Sequence, residues 1–273
     1  MKKLLAMILA TLMLVSFAAC SKDGDANQEE LKDYLQNDEL VDHVTLESGE
    51  TYYFDQVDSE SVTITKYEGP DAKHVLTVPE KLDNKTVVSI SALAFKDCTS
   101  INAVVFPESV TEIGDYAFAG CLLITSVKLS TQTTAIGTGA FQGCAALATI
   151  NLAETKITEI KNNTFNACKS LTEVTVIDTV KTVGKGAFFD CDKLATVVVE
   201  AGVEVIGQQA FQNCEALASV TLPATLTSIG AQAFSGSDNL YKEGLTLAEG
   251  ATVAAEYFAE DEYQLANKPV VTE

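Results

Sequence analysis

The feature of this sequence that most constrains its fold is a short phrase that occurs seven times. It consists of a branched apolar residue, a second residue that is often glycine, two variable residues, alanine, phenylalanine, two more residues and usually cysteine. A repeat of this kind cannot bury its apolar side alone, so each copy must stack on its neighbours. The spacing therefore predicts a solenoid. Successive phenylalanines are separated by 23 residues except for one step of 24, and they are Phe95, Phe118, Phe141, Phe165, Phe188, Phe211 and Phe234.

Apolar and polar residues alternate over a short stretch of each repeat, as in Val220, Thr221 and Leu222. Because successive side chains of a strand point to opposite faces, this stretch predicts a short strand. We expect it to pair in parallel with the equivalent strand of the next coil. A second short extended piece is predicted just before the glycine of each phrase, for example at residues 203–206.

In five of the seven phrases, glycine follows the branched apolar residue. We expect it where a side chain would obstruct the packing of neighbouring coils, or where the backbone needs a positive φ. The alanine is small enough to let the next coil lie close, and the phenylalanine is predicted to fill the interior as a stack of rings. Lys161 replaces the glycine in one coil, and the five glycines are Gly114, Gly137, Gly184, Gly207 and Gly230.

The full phrase is Ile-Gly-x-x-Ala-Phe-x-x-Cys-x-x-Leu, as at residues 136–147. It resembles the hallmark of the BspA-like, or treponemal-type, leucine-rich repeat family of bacterial surface lipoproteins. The resemblance covers about residues 75–247 and implies a mainly β solenoid of leucine-rich repeat coils with short parallel strands. Departures from the phrase are Ser91 for glycine, one extra residue after Leu152, Ser237 for cysteine and an insertion after Leu240.

The segments on either side of the repeats are predicted to cap the solenoid. Residues 43–74 are expected to form an N-terminal β cap, because Tyr52, Phe54 and Val57, then Val62 and Ile64, alternate with polar residues as in a hairpin. The solenoid proper is assigned to residues 75–247. Residues 248–273 mix aromatic residues with acids, which suits a C-terminal cap.

The first residues of the chain are predicted to direct export. Residues 1–19 have the form of a signal peptide, with Lys2 and Lys3 before an apolar run at residues 4–17. Two alanines and Cys20 follow, which resembles the lipobox of bacterial lipoproteins with Phe17 in place of the usual leucine. This implies that Cys20 is lipidated. The alternatives are an ordinary secretory signal and, since the run is shorter than the roughly 18 residues of a span, least of all a transmembrane helix.

Residues 20–42 are predicted to be an acidic tether, because ten acids stand against two lysines between residues 21 and 50. Ser21, Lys22 and Asp23 also resemble an export signal that sends lipoproteins to the outer face of the outer membrane. A plain charged spacer is the alternative. The predicted location is the bacterial outer membrane, exposed at the cell surface and attached by the lipid anchor only.

The net charge of −20 argues against nucleic acid and anionic lipid as partners. An enzyme is not expected, since the sequence shows no nucleophile elbow, no phosphate loop and no histidine-rich metal motif. The two histidines, His43 and His74, lie outside the coils. No cofactor and no metal site are predicted.

Six cysteines share one position of the repeat and are predicted to form a ladder, with neighbours about 5 Å apart. That spacing permits disulfides, but the parallel side chains give poor dihedral geometry and Ser237 takes the seventh place. We therefore expect buried, reduced thiols acting as small apolar side chains. The six are Cys98, Cys121, Cys144, Cys168, Cys191 and Cys214.

The outward residues of the parallel strands form the candidate binding face, which is rich in threonine and serine. A merely solvated face with β-forming residues is one interpretation; a recognition surface for another protein is the other. The family resemblance implies adhesion to host matrix proteins or to other bacteria, and a passive spacer or scaffold of an envelope complex is the alternative. A monomer is expected. The candidate residues are Val105, Lys128, Asn151, Glu173, Thr175, Val198 and Thr221.

Overall fold

A computed structural model describes residues 42–237, 239–240, 245–247 and 270–271 of the chain. Residues 1–41, with Cys20, and most of residues 248–273 lie outside the described residues. In chain order the strands are β1 (Asp42–Thr45), β2 (Thr51–Gln56), β3 (Ser61–Glu68), β4 (His74–Thr77), β5 (Lys81–Leu82), β6 (Lys85–Ile90), β7 (Ile101–Val105), β8 (Glu112–Ile113), β9 (Ser126–Lys128), β10 (Ala135–Ile136), β11 (Thr149–Ile150), β12 (Glu159–Ile160), β13 (Glu173–Val176), β14 (Thr182–Val183), β15 (Thr196–Val199), β16 (Val205–Ile206), β17 (Ser219–Leu222), β18 (Ser228–Ile229), β19 (Leu245–Leu247) and β20 (Val270–Val271). A 3-10 helix, Leu152–Glu154, lies between β11 and β12.

Each coil contributes one strand to each of two series of parallel strands, which confirms the predicted β solenoid. The strands of the candidate binding face form two sheets, ordered β4-β7-β9-β11 and β13-β15-β17-β19-β20. The strands before the glycines also form two sheets, one running β3-β6-β8-β10 and the other β12-β14-β16-β18. Equivalent residues of neighbouring coils are paired, as Val197 is with Val220.

The N-terminal part of the described chain differs from the predicted hairpin. Strands β1, β2 and β3 form an antiparallel meander, and β3 then pairs in parallel with β6. Tyr52 and Phe54 are buried as the alternation predicts, but Val57 lies in the turn after β2 and is 56% exposed. The meander is therefore an extension of the sheet of the coils.

The rings of the seven repeat phenylalanines form one continuous stack in the core. Consecutive ring centroids lie 4.7 to 5.7 Å apart, with ring planes within 15° of parallel. Tyr67 of β3 stacks on Phe95 at 4.9 Å and so closes the N-terminal end of the stack. Around the stack, backbone hydrogen bonds join the Ala-Phe turns of successive coils; in the first turn, Leu93, Phe95 and Asp97 donate to the next coil. We call this series of bonds the turn ladder.

Glycine recurs at one position of the phrases because neighbouring coils approach each other closely there. A Cβ at Gly207 would lie 2.7 Å from backbone atoms of Gly184 and Lys185, and one at Gly230 would lie 2.3 Å from the backbone nitrogen of Gln208. The alternative reason, a positive φ, is wrong for these positions. Left-handed residues instead occur two positions before and two positions after each repeat phenylalanine.

Both series of strands are interrupted at the step between the coils of Phe141 and Phe165, which we call the seam. Among the described residues, β11 does not pair with β13, nor β10 with β12. The extra residue of this repeat and Lys161 in place of glycine both fall at this step. The turn ladder and the ring stack continue across it, since Phe141 donates its N–H to Thr164 at 2.9 Å.

Candidate functional site

The seam divides the candidate binding face into two groups of residues. Val105 pairs with Lys128 across β7 and β9, and Asn151 follows the end of β11. On the other side of the seam, Thr175 pairs with Val198 across β13 and β15, and Val198 pairs with Thr221 across β15 and β17. Glu173, at the start of β13, pairs with Thr196 of β15. The face predicted from the repeat therefore consists of two separate sheets.

Side chains of the second group lie on the outer face of a regularly paired parallel sheet. Val198 is 40% exposed. Glu173 and Thr221 are exposed, and Thr175 is half-buried. These residues form a mostly exposed surface on the second sheet.

The first group lines a shallow groove of about 310 Å³. The groove forms where the strands become shorter from coil to coil: β7 has five residues, β9 has three and β11 has two. After β11 the chain turns into the 3-10 helix, so Ile150 is only half-buried although the equivalent Val104 and Val127 are buried. The residues that line the groove are Val104, Val105, Ser126, Val127, Lys128, Thr149, Ile150 and Asn151.

Asn151 closes the groove where the strand ladder stops. Its Oδ1 accepts the N–H of Leu129 at 2.7 Å, and its Nδ2 donates to the carbonyl oxygen of Leu129 at 3.2 Å. Nδ2 also donates to Oε2 of Glu154 at 2.9 Å. The side-chain amide thus satisfies backbone groups that a longer strand would have paired. Asn151 shapes the groove, and Lys128 is the charged residue on its lining.

The cysteine ladder has a role that the sequence did not predict. The six thiols are free, and five of them are buried. Five thiols donate a hydrogen bond to the carbonyl oxygen of the phenylalanine in the preceding coil, with Sγ to O distances of 3.0 to 3.3 Å. Oγ of Ser237 makes the equivalent bond to Phe211 at 3.1 Å. The thiols are donors as well as apolar side chains, and serine at the seventh position was the signal in the sequence.

Burial keeps these thiols protonated. It raises the pKa of Cys144 and of Cys214 from 9.0 to about 12. Cys98 differs, because it is half-buried at the start of the ladder, and its contact with the neighbouring Cys121 thiol lowers the pKa of Cys98. The thiolate is the reactive form, so among the six cysteines of the ladder Cys98 is the one suited to react in the folded chain.

A polar cluster in the N-terminal meander was also missed. Oη of Tyr67 lies 2.8 Å from Nε2 of His74 and donates to Oε1 of Glu50 at 3.4 Å. His74 and Glu50 are 3.5 Å apart. Burial raises the pKa of Tyr67. The cluster joins the loop between β1 and β2 to β3 and to the start of β4 beside the ring stack. Each member has a partner, so the geometry indicates a structural role.

Within the described ranges there is no grouping of three or more histidine, cysteine or acidic side chains suited to a metal ion. Nor do these ranges contain a helix of the length and apolarity needed to cross a membrane.

Comparison with known proteins agrees with the geometry. The model of the BspA type leucine rich repeat region matches six copies, over residues 80–195 and 153–259. A leucine rich cell surface protein from Faecalibacterium prausnitzii is 31% identical with a TM-score of 0.67, over 76% of this chain and 54% of that one. The Treponema pallidum leucine rich repeat protein is 28% identical with a TM-score of 0.62, over 69% of this chain and 87% of that one.

The chain thus spans about half the length of the Faecalibacterium protein. None of the curated proteins matches it. The family model extends over most of the repeats, and both structures share their stacked coils. The chain therefore belongs to the BspA-type leucine-rich repeat family.

Proposed function

We propose that this protein is a binding module of the bacterial cell surface that takes a protein ligand in the groove of its first strand face. The observation that carries the proposal is the seam, which turns three predicted face residues, Val105, Lys128 and Asn151, into the lining of one concavity. The similar Faecalibacterium structure is described as a cell surface protein. Attachment through lipidated Cys20 in the outer membrane, adhesion to host matrix or another bacterium, and a monomeric state belong to the same proposal.

The groove suits a single apolar side chain of a ligand. Ile150 holds a position that is buried in the neighbouring coils, yet it remains half-exposed at the floor of the groove. A ligand side chain placed there would complete its burial, and each Å² of apolar surface removed from water contributes about 25 cal/mol. Lys128 at the rim favours a carboxylate next to that side chain. Such an anchor surrounded by polar contacts has the form of an interface hot spot.

The experiment measures binding of the purified protein to immobilised fibronectin, laminin and collagen by surface plasmon resonance. Val105→Glu places a charge in the groove, and Val198→Glu is the matched control, since it changes the same residue type at the same repeat position beyond the seam. We expect Val105→Glu to weaken binding at least tenfold and Val198→Glu to weaken it less than twofold.

Both variants must keep the thermal midpoint of the parent. Equal effects of the two substitutions would refute the groove as the contact. Binding that neither substitution changes would do the same. An absence of binding to every matrix protein and to bacterial envelope extracts would support the passive scaffold instead.

A further inference from the structure

Two bulky apolar residues occupy an unfavourable backbone conformation at the surface. The residue two positions before each repeat phenylalanine has a positive φ in all seven coils. Five coils use glycine, asparagine or glutamine there, whereas the first two use Leu93, with φ of +64°, and Tyr116, with φ of +54°. The seven residues of this column are Leu93, Tyr116, Gly139, Asn163, Gly186, Gln209 and Gln232.

Folding does not explain these two side chains. The left-handed region is unfavourable for residues other than glycine and asparagine, and Gln209 and Gln232 also adopt it in this column. Leu93 and Tyr116 are the two residues of the column that combine this conformation with an apolar side chain. Leu93 is 54% exposed and Tyr116 is 37% exposed, so neither fills the core. Strain and exposed apolar surface occur together at both positions, and such a combination marks a surface kept for contact with something else.

The two side chains lie side by side. The N–H of Leu93 donates to Asp115 at 3.0 Å and that of Tyr116 donates to Thr138 at 2.8 Å, so both positions belong to consecutive rungs of the turn ladder. Rungs are about 4.8 Å apart. The ring of Tyr116 lies over Gly139 of the next coil, where a Cβ would be 2.4 Å from its Cε1. We call Leu93, Tyr116 and Gly139 the turn patch.

Carboxylates border the turn patch. Oδ1 of Asp115 accepts the N–H of Thr138 at 2.7 Å, which fixes the orientation of that carboxylate beside the tyrosine. Asp97 follows Leu93 by four residues in the same turn and lies against Gly120. Its side chain is 69% exposed, and its carboxylate is 3.7 Å from Nζ of Lys96. An exposed pair of that kind is weak. With a chain charge of −20, the patch faces an incoming partner as a negative field around an aromatic ring.

We propose that the turn patch is a second interaction surface, separate from the strand face, that takes an arginine or lysine side chain of a basic protein segment. The cation lies over the exposed face of Tyr116, where ring and cation attract each other. The aliphatic stem of the basic side chain packs on Leu93. The carboxylate of Asp115 adds a charge-assisted contact.

The test is an NMR titration of the purified protein with acetyl-Gly-Arg-Gly-amide. We expect the Tyr116 ring signals to shift, and the arginine Hδ protons to move upfield because they lie over an aromatic ring. The same peptide with citrulline, which lacks the charge, is the ligand control. Tyr116→Phe keeps the ring, whereas Tyr116→Asn introduces a residue type found at this column in a later coil.

We expect the arginine shifts to persist in Tyr116→Phe, to fall at least fivefold in Tyr116→Asn and to be unchanged in Val105→Glu. The thermal midpoint of Tyr116→Asn should equal or exceed that of the parent, since the substitution relieves strain. Equal shifts with citrulline, binding retained by Tyr116→Asn, or a midpoint several degrees lower in Tyr116→Asn would each overturn the proposal.

Discussion

Gly207→Ala tests whether close approach between coils is the reason for the glycine in the repeat. The added Cβ would meet backbone atoms of Gly184 and Lys185 at 2.7 Å, whereas ordinary van der Waals contact begins at 3.4 Å. Backbone of the preceding coil cannot rotate away as a flexible side chain would. The two coils must therefore separate locally by about 0.7 Å, a gap that removes a quarter to a half of the dispersion energy of each facing atom pair.

The cost follows from what this separation strains. The N–H of Gly207 donates to Val183 at 2.7 Å, and the rings of Phe188 and Phe211 stack at 5.2 Å across the same interface. Weakening the hydrogen bond costs about 1 kcal/mol, and overpacking of a close interface costs about 1–3 kcal/mol. We expect the free energy of unfolding to fall by about 2–3 kcal/mol, since the two contributions overlap in part.

Urea unfolding followed by circular dichroism measures this change, and we expect the midpoint to fall by about 1 M. Lys161→Ala is the matched control, because position 161 occupies the same place in the repeat but already carries a side chain at the seam. Its effect should stay within about 0.5 kcal/mol. An unchanged midpoint in Gly207→Ala, or equal losses in the two variants, would refute close approach as the reason for the glycine.

Four further predictions concern the cysteines and the location of the coils. At neutral pH a thiol reagent should modify Cys98 in the folded protein, whereas it should modify Cys144 and Cys214 only after unfolding. Mass spectrometry of the labelled peptides measures this. Labelling of Cys144 before unfolding would contradict the prediction. Because the thiols of Cys144 and Cys214 have a higher pKa folded than unfolded, stability should be full below pH 9 and decline as pH rises toward 12. Cells fed labelled palmitate should incorporate the label into the parent protein but not into the Cys20→Ala variant. Protease added to intact cells should remove the coils, and complete protection of the coils from the protease would contradict surface exposure.

The period of the phenylalanines was enough to predict the ring stack, because a core residue repeated at one position has to meet its own equivalents in the next coil. The seam could not be predicted in the same way. The extra residue after Leu152 and the lysine at position 161 are visible in the sequence. Whether such an insertion forms a bulge, a loop or a break depends on which backbone bonds survive. Here the side chain of Asn151 bonds to the N–H and the carbonyl oxygen of Leu129 in the preceding coil, where β11 ends.

Of the two reasons predicted for the glycines, close packing of coils is confirmed and a positive φ is wrong. Close approach and positive φ both favour glycine, and the residue type alone does not distinguish them. The structure separates the two, since positive φ falls on Tyr116 and Asp97, which the sequence pattern presents as ordinary variable positions. The turn patch was therefore beyond sequence reasoning, because its significance comes from the backbone conformation.

A repeat protein provides its own reference for every position, since each column shows which residues the fold accepts. Ser237 departs from cysteine without cost to the bonding pattern, because its hydroxyl makes the same hydrogen bond to the preceding phenylalanine. Leu93 and Tyr116 depart from the glycine, asparagine and glutamine of their column by placing apolar side chains in a strained conformation at the surface. A departure that preserves the contacts of its column is explained by the fold alone. A departure that the fold does not need indicates selection by a partner, which is why the groove at the seam and the turn patch are the two places to test for binding.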